Sequence, residues 1–191
     1  MKKGNYILAI LRSKKTVFSF KDIALLWRDS SKAARVRINY YVKNGDIYPV
    51  CRGFYAKDRN YDKFELATKI YAPAYISFET VLGRAGITFQ YYGQIFLASR
   101  LTREITVDEQ VFSYRKIKDL ILTNGAGVEN KENYSIATPE RAFLDVLYLN
   151  KDYHFDNLFS LDRDKVFGIL PVYNNQRMAK KVKEIFKSNQ E

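Results

Sequence analysis

Residues 19–56 read SFKDIALLWRDSSKAARVRINYYVKNGDIYPVCRGFYA, and the order of apolar, polar and turn residues in this stretch decides the fold of the amino-terminal third. Ser19 is an N-cap candidate with Asp22 three positions on. Ile23, Ala24, Leu26 and Trp27 then supply the buried stripe of a helix. Asp29, Ser30 and Ser31 provide a turn and a new cap. Over residues 32–44, Ala34, Ile38, Tyr41 and Val42 share one helical face, while Lys32, Arg35, Asn39 and Lys43 share another, flanked by Arg37 and Tyr40. Gly45 suits the position just past the helix end. Residues 47–50 and 54–56 read as two strands around Cys51, Arg52 and Gly53, which puts Arg52 at a hairpin tip.

Upstream, Ile7, Leu8 and Leu11 give residues 5–12 the spacing of a first helix, and Thr16, Val17 and Phe18 break it with a short strand. Helix, turn, polar-faced helix and basic-tipped hairpin together make the pattern of a winged helix-turn-helix, whose third helix enters the DNA major groove. The candidate DNA-binding residues are Lys32, Arg35, Arg37, Asn39, Tyr40, Lys43 and Arg52. An arginine can fork onto guanine and Asn39 can pair an adenine edge, while Lys32, Lys43 and Arg52 can hold phosphates. Winged helices also serve as protein-docking modules, and a basic face can be merely solvated.

Charge is distributed unevenly along the 191 residues. Residues 1–58 hold 13 Lys and Arg against four Asp, a net of +9, whereas the remainder contributes only +2 of the total of +11. This asymmetry argues for two domains, 1–58 and 59–191, the first suited to a polyanion through phosphate neutralisation and counterion release. A hydrophobic fraction of 47% excludes wholesale disorder. No apolar run approaches the roughly 18 residues of a spanning helix, and Arg12, Lys14 and Lys15 interrupt any secretory segment, so a cytoplasmic address and no membrane partner are expected. One cysteine and one histidine are too few for a disulfide or a structural zinc site.

The second part reads as a mixed α/β domain, making the whole chain α+β. Residues 61–70 form a helix with Phe64, Leu66, Ala67 and Ile70 available for burial. Ser77 is read as the N-cap of another helix, which carries Phe78, Val81, Leu82 and Ala85 to Gly86. IFLASR, REITV and QVFSYRKI between residues 94 and 117 read as strands, with 119–122 extending the sheet and 134–137 a last strand. Thr138, Pro139 and Glu140 make a strong helix start. The helix to Leu149 is apolar on most of its circumference, and two more follow over 162–170 and 174–188. The last carries Lys180, Lys181, Lys183 and Lys187, a second basic surface.

The combination of SFKDIALLW, NYYVKNGDIYPVCRGFYA, YDKFELATKIYAPAYISFETVLGRAGI and YSIATPERAFLDVLYL resembles the AbiEi-type antitoxins of bacterial type IV toxin–antitoxin systems, over residues 17–149. Arg141 and Phe143 stand where that family often has Lys and Leu. The resemblance implies a transcriptional autorepressor that binds operator DNA through its winged helix-turn-helix, and a carboxyl-terminal domain that counters a cognate nucleotidyltransferase toxin. A single module of this kind buries modest area, so tight binding is expected to need two copies on an inverted repeat, a dimer formed on DNA. The competing expectation is a stand-alone winged-helix transcription factor whose second domain senses a small molecule.

Enzymatic readings are weak. Glu129 and Lys131 have the Glu-x-Lys spacing of a metal-dependent nuclease, with Asp108 or Asp119 to complete it, but the surrounding GAGVENKEN reads as a loop. His154 lies in a loop between aromatics and is expected to be packed or hydrogen-bonded rather than a general base. Cys51 beside Arg52 reads as a small wing residue rather than a redox sensor. No glycine-rich phosphate loop occurs. The expectation is therefore a non-enzymatic protein with no catalytic residue, metal or cofactor.

Overall fold

The computed structural model describes residues 5–188. It is an α+β structure that divides into two compact units, one through Lys69 and one from Ile70.

In the first unit, α1 (Asn5–Arg12), β1 (Val17–Ser19), α2 (Phe20–Trp27), α3 (Ser31–Lys43), β2 (Tyr48–Cys51) and β3 (Phe54–Ala56) follow one another, and α4 (Lys63–Ile70) comes last. The strands form an antiparallel sheet in the order β1-β3-β2. Ser19 caps α2 as its sequence position requires. Its hydroxyl accepts from the Asp22 N–H at 3.1 Å, and its own N–H donates to the Asp22 carboxylate at 2.9 Å. Tyr6, Ile10, Phe18, Ile23, Trp27, Ile38, Tyr41 and Ile47 close the core. The Trp27 indole lies edge-on to Tyr6 and donates to its carbonyl at 2.8 Å, so the largest core side chain also leaves no polar atom orphaned.

Two expected stripes are turned. In α1 the buried residues are Tyr6 and Ile10, with Leu8 and Leu11 exposed, and in α2 Leu26 is exposed while Ile23 and Trp27 carry the contact. Both helices have leucine on more than one face, and the aromatic partners decide which face turns inward.

The boundary expected at 58/59 falls instead at 69/70, because α4 is bonded into the first unit. Its buried Glu65 accepts from the N–H and hydroxyl of Thr16 at 2.8 and 2.7 Å, and Lys69 donates to the Val17 carbonyl. The helix begins at Lys63 rather than Tyr61, since Asp62 accepts from the Phe64 N–H at 2.7 Å and so precedes its first turn.

The second unit carries a six-stranded mixed sheet. Its strands are β4 (Ala74–Ile76), β5 (Ile95–Ser99), β6 (Arg103–Val107), β7 (Gln110–Lys116), β8 (Val128–Asn130) and β9 (Ser135–Ala137), ordered β6-β7-β5-β4-β9-β8. The β5/β7 and β4/β9 pairs are parallel and the others antiparallel. The helices are α5 (Glu79–Arg84), α6 (Asp119–Leu122), α7 (Pro139–Leu149), α8 (Arg163–Ile169) and α9 (Gln176–Ser188), with a 3-10 turn at Leu170–Tyr173. Thr138 caps α7 by accepting from the Arg141 N–H, with Pro139 in its first turn.

Three expectations are corrected here. Residues 119–122 form the short helix α6 rather than sheet, as Lys118 accepts the N–H groups of Ile121 and Leu122. Val128–Asn130 is an edge strand paired with Ser135–Ala137, not a loop. Ser77 is no N-cap. It directly follows β4, a strand beyond those expected from the sequence, and Phe78 takes the capping position at φ 56° without a side-chain bond.

The Ser77 hydroxyl donates instead to Asp145, 2.7 Å away, in a wholly buried network on α7. Asp145 also accepts from Tyr75 at 2.9 Å, from Tyr173 at 2.6 Å and from Arg141 Nε at 3.3 Å. The remaining guanidinium donors reach the carbonyls of Ile121, Asn124 and Ala126 and the Tyr75 hydroxyl, so five bonds match the five donors of arginine. Burial and the Asp145 charge push both phenols well above the ordinary tyrosine value, so they stay protonated and donate. Gly127 lets the loop approach this helix. It sits at φ +71°, and a Cβ there would lie 2.7 Å from Ile169 and 2.8 Å from the Arg141 side chain.

Replacing Arg141 with Met strands a buried carboxylate and three carbonyls, and is expected to cost about 3–5 kcal/mol in urea unfolding. The double replacement R141M/D145L should not restore stability, because the hydroxyls of Tyr75, Ser77 and Tyr173 also lose their acceptor. Recovery to parental stability would mean that the ion pair acts alone.

Candidate nucleic-acid interface

The candidate cations of the first unit lie on two elements, α3 and the β2–β3 turn, while Arg12, Lys14, Lys15, Lys21, Arg28 and Arg59 are exposed elsewhere on it. Helix α3 starts at Ser30, whose hydroxyl accepts from the Ala33 N–H at 3.3 Å, and buries Ala34, Ile38 and Tyr41. Three residues separate it from α2. Arg28 takes the left-handed conformation at φ 55°, and its N–H and that of Asp29 close the end of α2 onto Leu25 and Ala24. With Ile38 fixed inward, helical geometry directs Lys32, Arg35, Asn39, Tyr40 and Lys43 outward, and all five are exposed. Arg35 rests 5.8 Å from the Phe20 ring centroid, and Tyr40 is steadied edge-on against Tyr41 at 5.4 Å.

Arg52 is exposed in the turn between β2 and β3. That turn is tied down: Gly53, at φ +83°, offers its carbonyl to the Phe20 N–H at 2.8 Å, filling one of the open donors at the start of α2. Among the described residues, Lys32, Arg35, Lys43 and Arg52 make no ion pair. Three of the six acidic side chains of this unit are engaged elsewhere: Asp22 with Lys15, Asp29 with Arg37, and Glu65 with Lys69. The excess positive charge is thus left on the surface.

Arg37 stands apart from the other candidates. Its Nε donates to Asp29 at 2.9 Å and its guanidinium lies 3.7 Å over the Tyr6 ring, so it fastens α3 to the α2–α3 turn and to α1. The bond to Asp29 raises its pKa further. Asp29 was visible in the sequence as a turn residue, but its pairing with Arg37 eight positions on depends on the angle of that turn.

Val36, outside the set of candidates, is 68% exposed at the middle of the outward side of α3. A β-branched residue outside the helix's apolar periodicity was the available signal. Beside it runs a groove of about 760 Å³ lined by Ile7, Ala33, Val36 and Tyr40 with Lys32 and Asp46.

The remaining candidates are dispersed. Glu129 and Lys131 pair with each other on an exposed edge, and among the described residues no three His, Cys, Asp or Glu side chains group to hold a metal ion. His154 is neither packed nor closely bonded, being exposed and 4.0 Å from Asp156. Lys180, Lys181, Lys183 and Lys187 lie exposed on α9, which buries Met178, Val182 and Phe186. Among the described residues, no helix is long and apolar enough to cross a membrane. No protein-family model and no curated protein matches the chain.

The start of α2, beside α3 in the chain, is held by a titratable group. Partial burial pushes the Asp22 carboxyl up, but the hydroxyl and N–H of Ser19 and the nearby Lys15 outweigh it and hold the group below the ordinary 3.8. Its contribution is therefore present above pH 3.8 and lost as pH falls through the depressed folded-state value. Urea titrations in that acid window are expected to show a shallower loss of stability for Asp22→Asn than for the parent, and identical slopes would remove this carboxylate as a cause. Arg37→Ala is expected to lower stability by about 1 kcal/mol through the lost ion pair and ring contact, and to leave the salt dependence of any duplex binding unchanged.

Proposed function

We propose that the chain is a DNA-binding transcriptional autorepressor whose first unit is a winged helix-turn-helix. The order α1-β1-α2-α3-β2-β3, the three-residue turn between α2 and α3 and the anchored β2–β3 turn support this reading of the fold. The observation that carries the functional reading is the set of unpaired, exposed cations on α3 and at Arg52, around a helix whose other side is fixed in a core. In this mechanism Lys32, Lys43 and Arg52 neutralise phosphates and supply affinity, while Arg35 and Asn39 meet base edges and supply selectivity. Two copies on an inverted repeat provide the contact area that one module lacks. No catalytic step is invoked.

The second unit is assigned as an antitoxin domain that counters a nucleotidyltransferase toxin. This part rests on the likeness of ATPERAFLDVLYL and the preceding motifs to the AbiEi-type antitoxins, and growth rescue on co-expression with the neighbouring gene's product is the assay for it.

Gel-shift titrations at two salt concentrations test the DNA reading. Asn39→Ala and Arg35→Ala are expected to relax preference at one base position by about 1–3 kcal/mol. Lys43→Ala and Arg52→Ala should weaken all duplexes alike and lower the salt slope by about one. Equal affinity of the parent protein for selected and random duplexes would overturn the assignment.

A further inference from the structure

The outward side of α3 is not uniformly polar. Ala33, Val36 and Tyr40, spaced i, i+3 and i+7, form an apolar row beside the row of Lys32, Asn39 and Lys43. With 3.6 residues per turn, Val36 points directly away from the middle of the buried set Ala34, Ile38 and Tyr41. It shares this outermost direction with Lys43 at the end of the helix, and its 68% exposure shows that the core makes no use of it.

A valine at that place carries two methyl groups on a stem that the helix holds in one preferred rotamer. It has no donor or acceptor, so it cannot read a base edge by hydrogen bonding. The major groove offers one apolar feature that a short branched side chain can match, the C5-methyl group of thymine. Unpaired cations beside Val36 favour a polyanion over an apolar protein partner at this face, since docking a protein there would strip those charges of water without supplying counter-charges.

We infer that Val36 is a specificity-determining residue that packs on a thymine methyl group in each half-site. The inference rests on the DNA-binding reading above and adds a chemical feature to the sequence bound. The selected site must contain thymine where α3 lies deepest, with the discrimination coming from a methyl group rather than from a hydrogen bond.

The test uses the full chain. Duplexes selected by the parent protein from a random-sequence library are resynthesised with deoxyuridine replacing each thymine in turn, a change that removes only the methyl group. At one or two positions in each half-site the replacement is expected to weaken binding about four-fold, the worth of about 0.8 kcal/mol for one buried carbon. Val36→Ala should abolish that difference while leaving the salt slope intact, and Val36→Thr, which keeps one methyl group, should retain part of it. Sequence-selective binding with no uridine-sensitive position would overturn the role of Val36 and leave the repressor reading standing. A uridine effect that persists in Val36→Ala would likewise overturn it by assigning the methyl contact to another residue. Failure of the library to yield any preferred sequence would overturn both.

Discussion

A guanidinium with no access to water has to find a partner for every N–H, and the second unit is organised around meeting that demand at Arg141. One bond is supplied by Asp145, a turn further along α7, and the others come from a tyrosine of β4 and from carbonyls between Ile121 and Ala126. Tyr75 and the carbonyls thereby fix two separate segments, β4 and residues 121–126, against α7. Asp145, equally buried, takes hydroxyls from β4 and from the 3-10 turn. Such a network adds little to stability compared with an apolar core of the same volume, but it tolerates no half-formed alternative. Segments without their own apolar stripe, such as the loop through Gly127, are placed by it.

The first unit reaches definition by another route. Its core is aromatic and aliphatic, with Trp27 central, and its polar interactions lie at element ends, at Ser19, Ser30 and Asp62. These short-range devices set where helices begin. They also engage Asp22, and Asp29 is held by Arg37, so that among the described residues Lys32, Arg35, Lys43 and Arg52 make no ion pair. A surface of uncompensated charge follows from that internal pairing as well as from composition.

Local rules made the first unit and most strands legible. The capping box at Ser19 and Asp22, the Thr138-Pro139 start and the apolar and aromatic strands between Ile95 and Lys116 all act within a few residues, where residue type and spacing read directly. What escaped was long-range. Ser77 reads as a cap because its partner lies on α7, and the bond of Arg37 to Asp29 spans a turn whose angle spacing does not reveal. Leu8 and Leu11 satisfied helical periodicity yet lost the inward face to Tyr6 and Ile10. Val36 lies outside the helical periodicity altogether, an apolar residue on the polar face of α3.

The placement of Trp27 also affects how the protein can be observed. It is the chain's sole tryptophan and sits in the middle of the first unit, shielded from solvent by Tyr6 and Tyr41. Its fluorescence therefore reports on the amino-terminal unit alone, whereas far-ultraviolet ellipticity averages over both. The two signals taken together resolve whether the halves of this polypeptide melt as one cooperative body or in sequence.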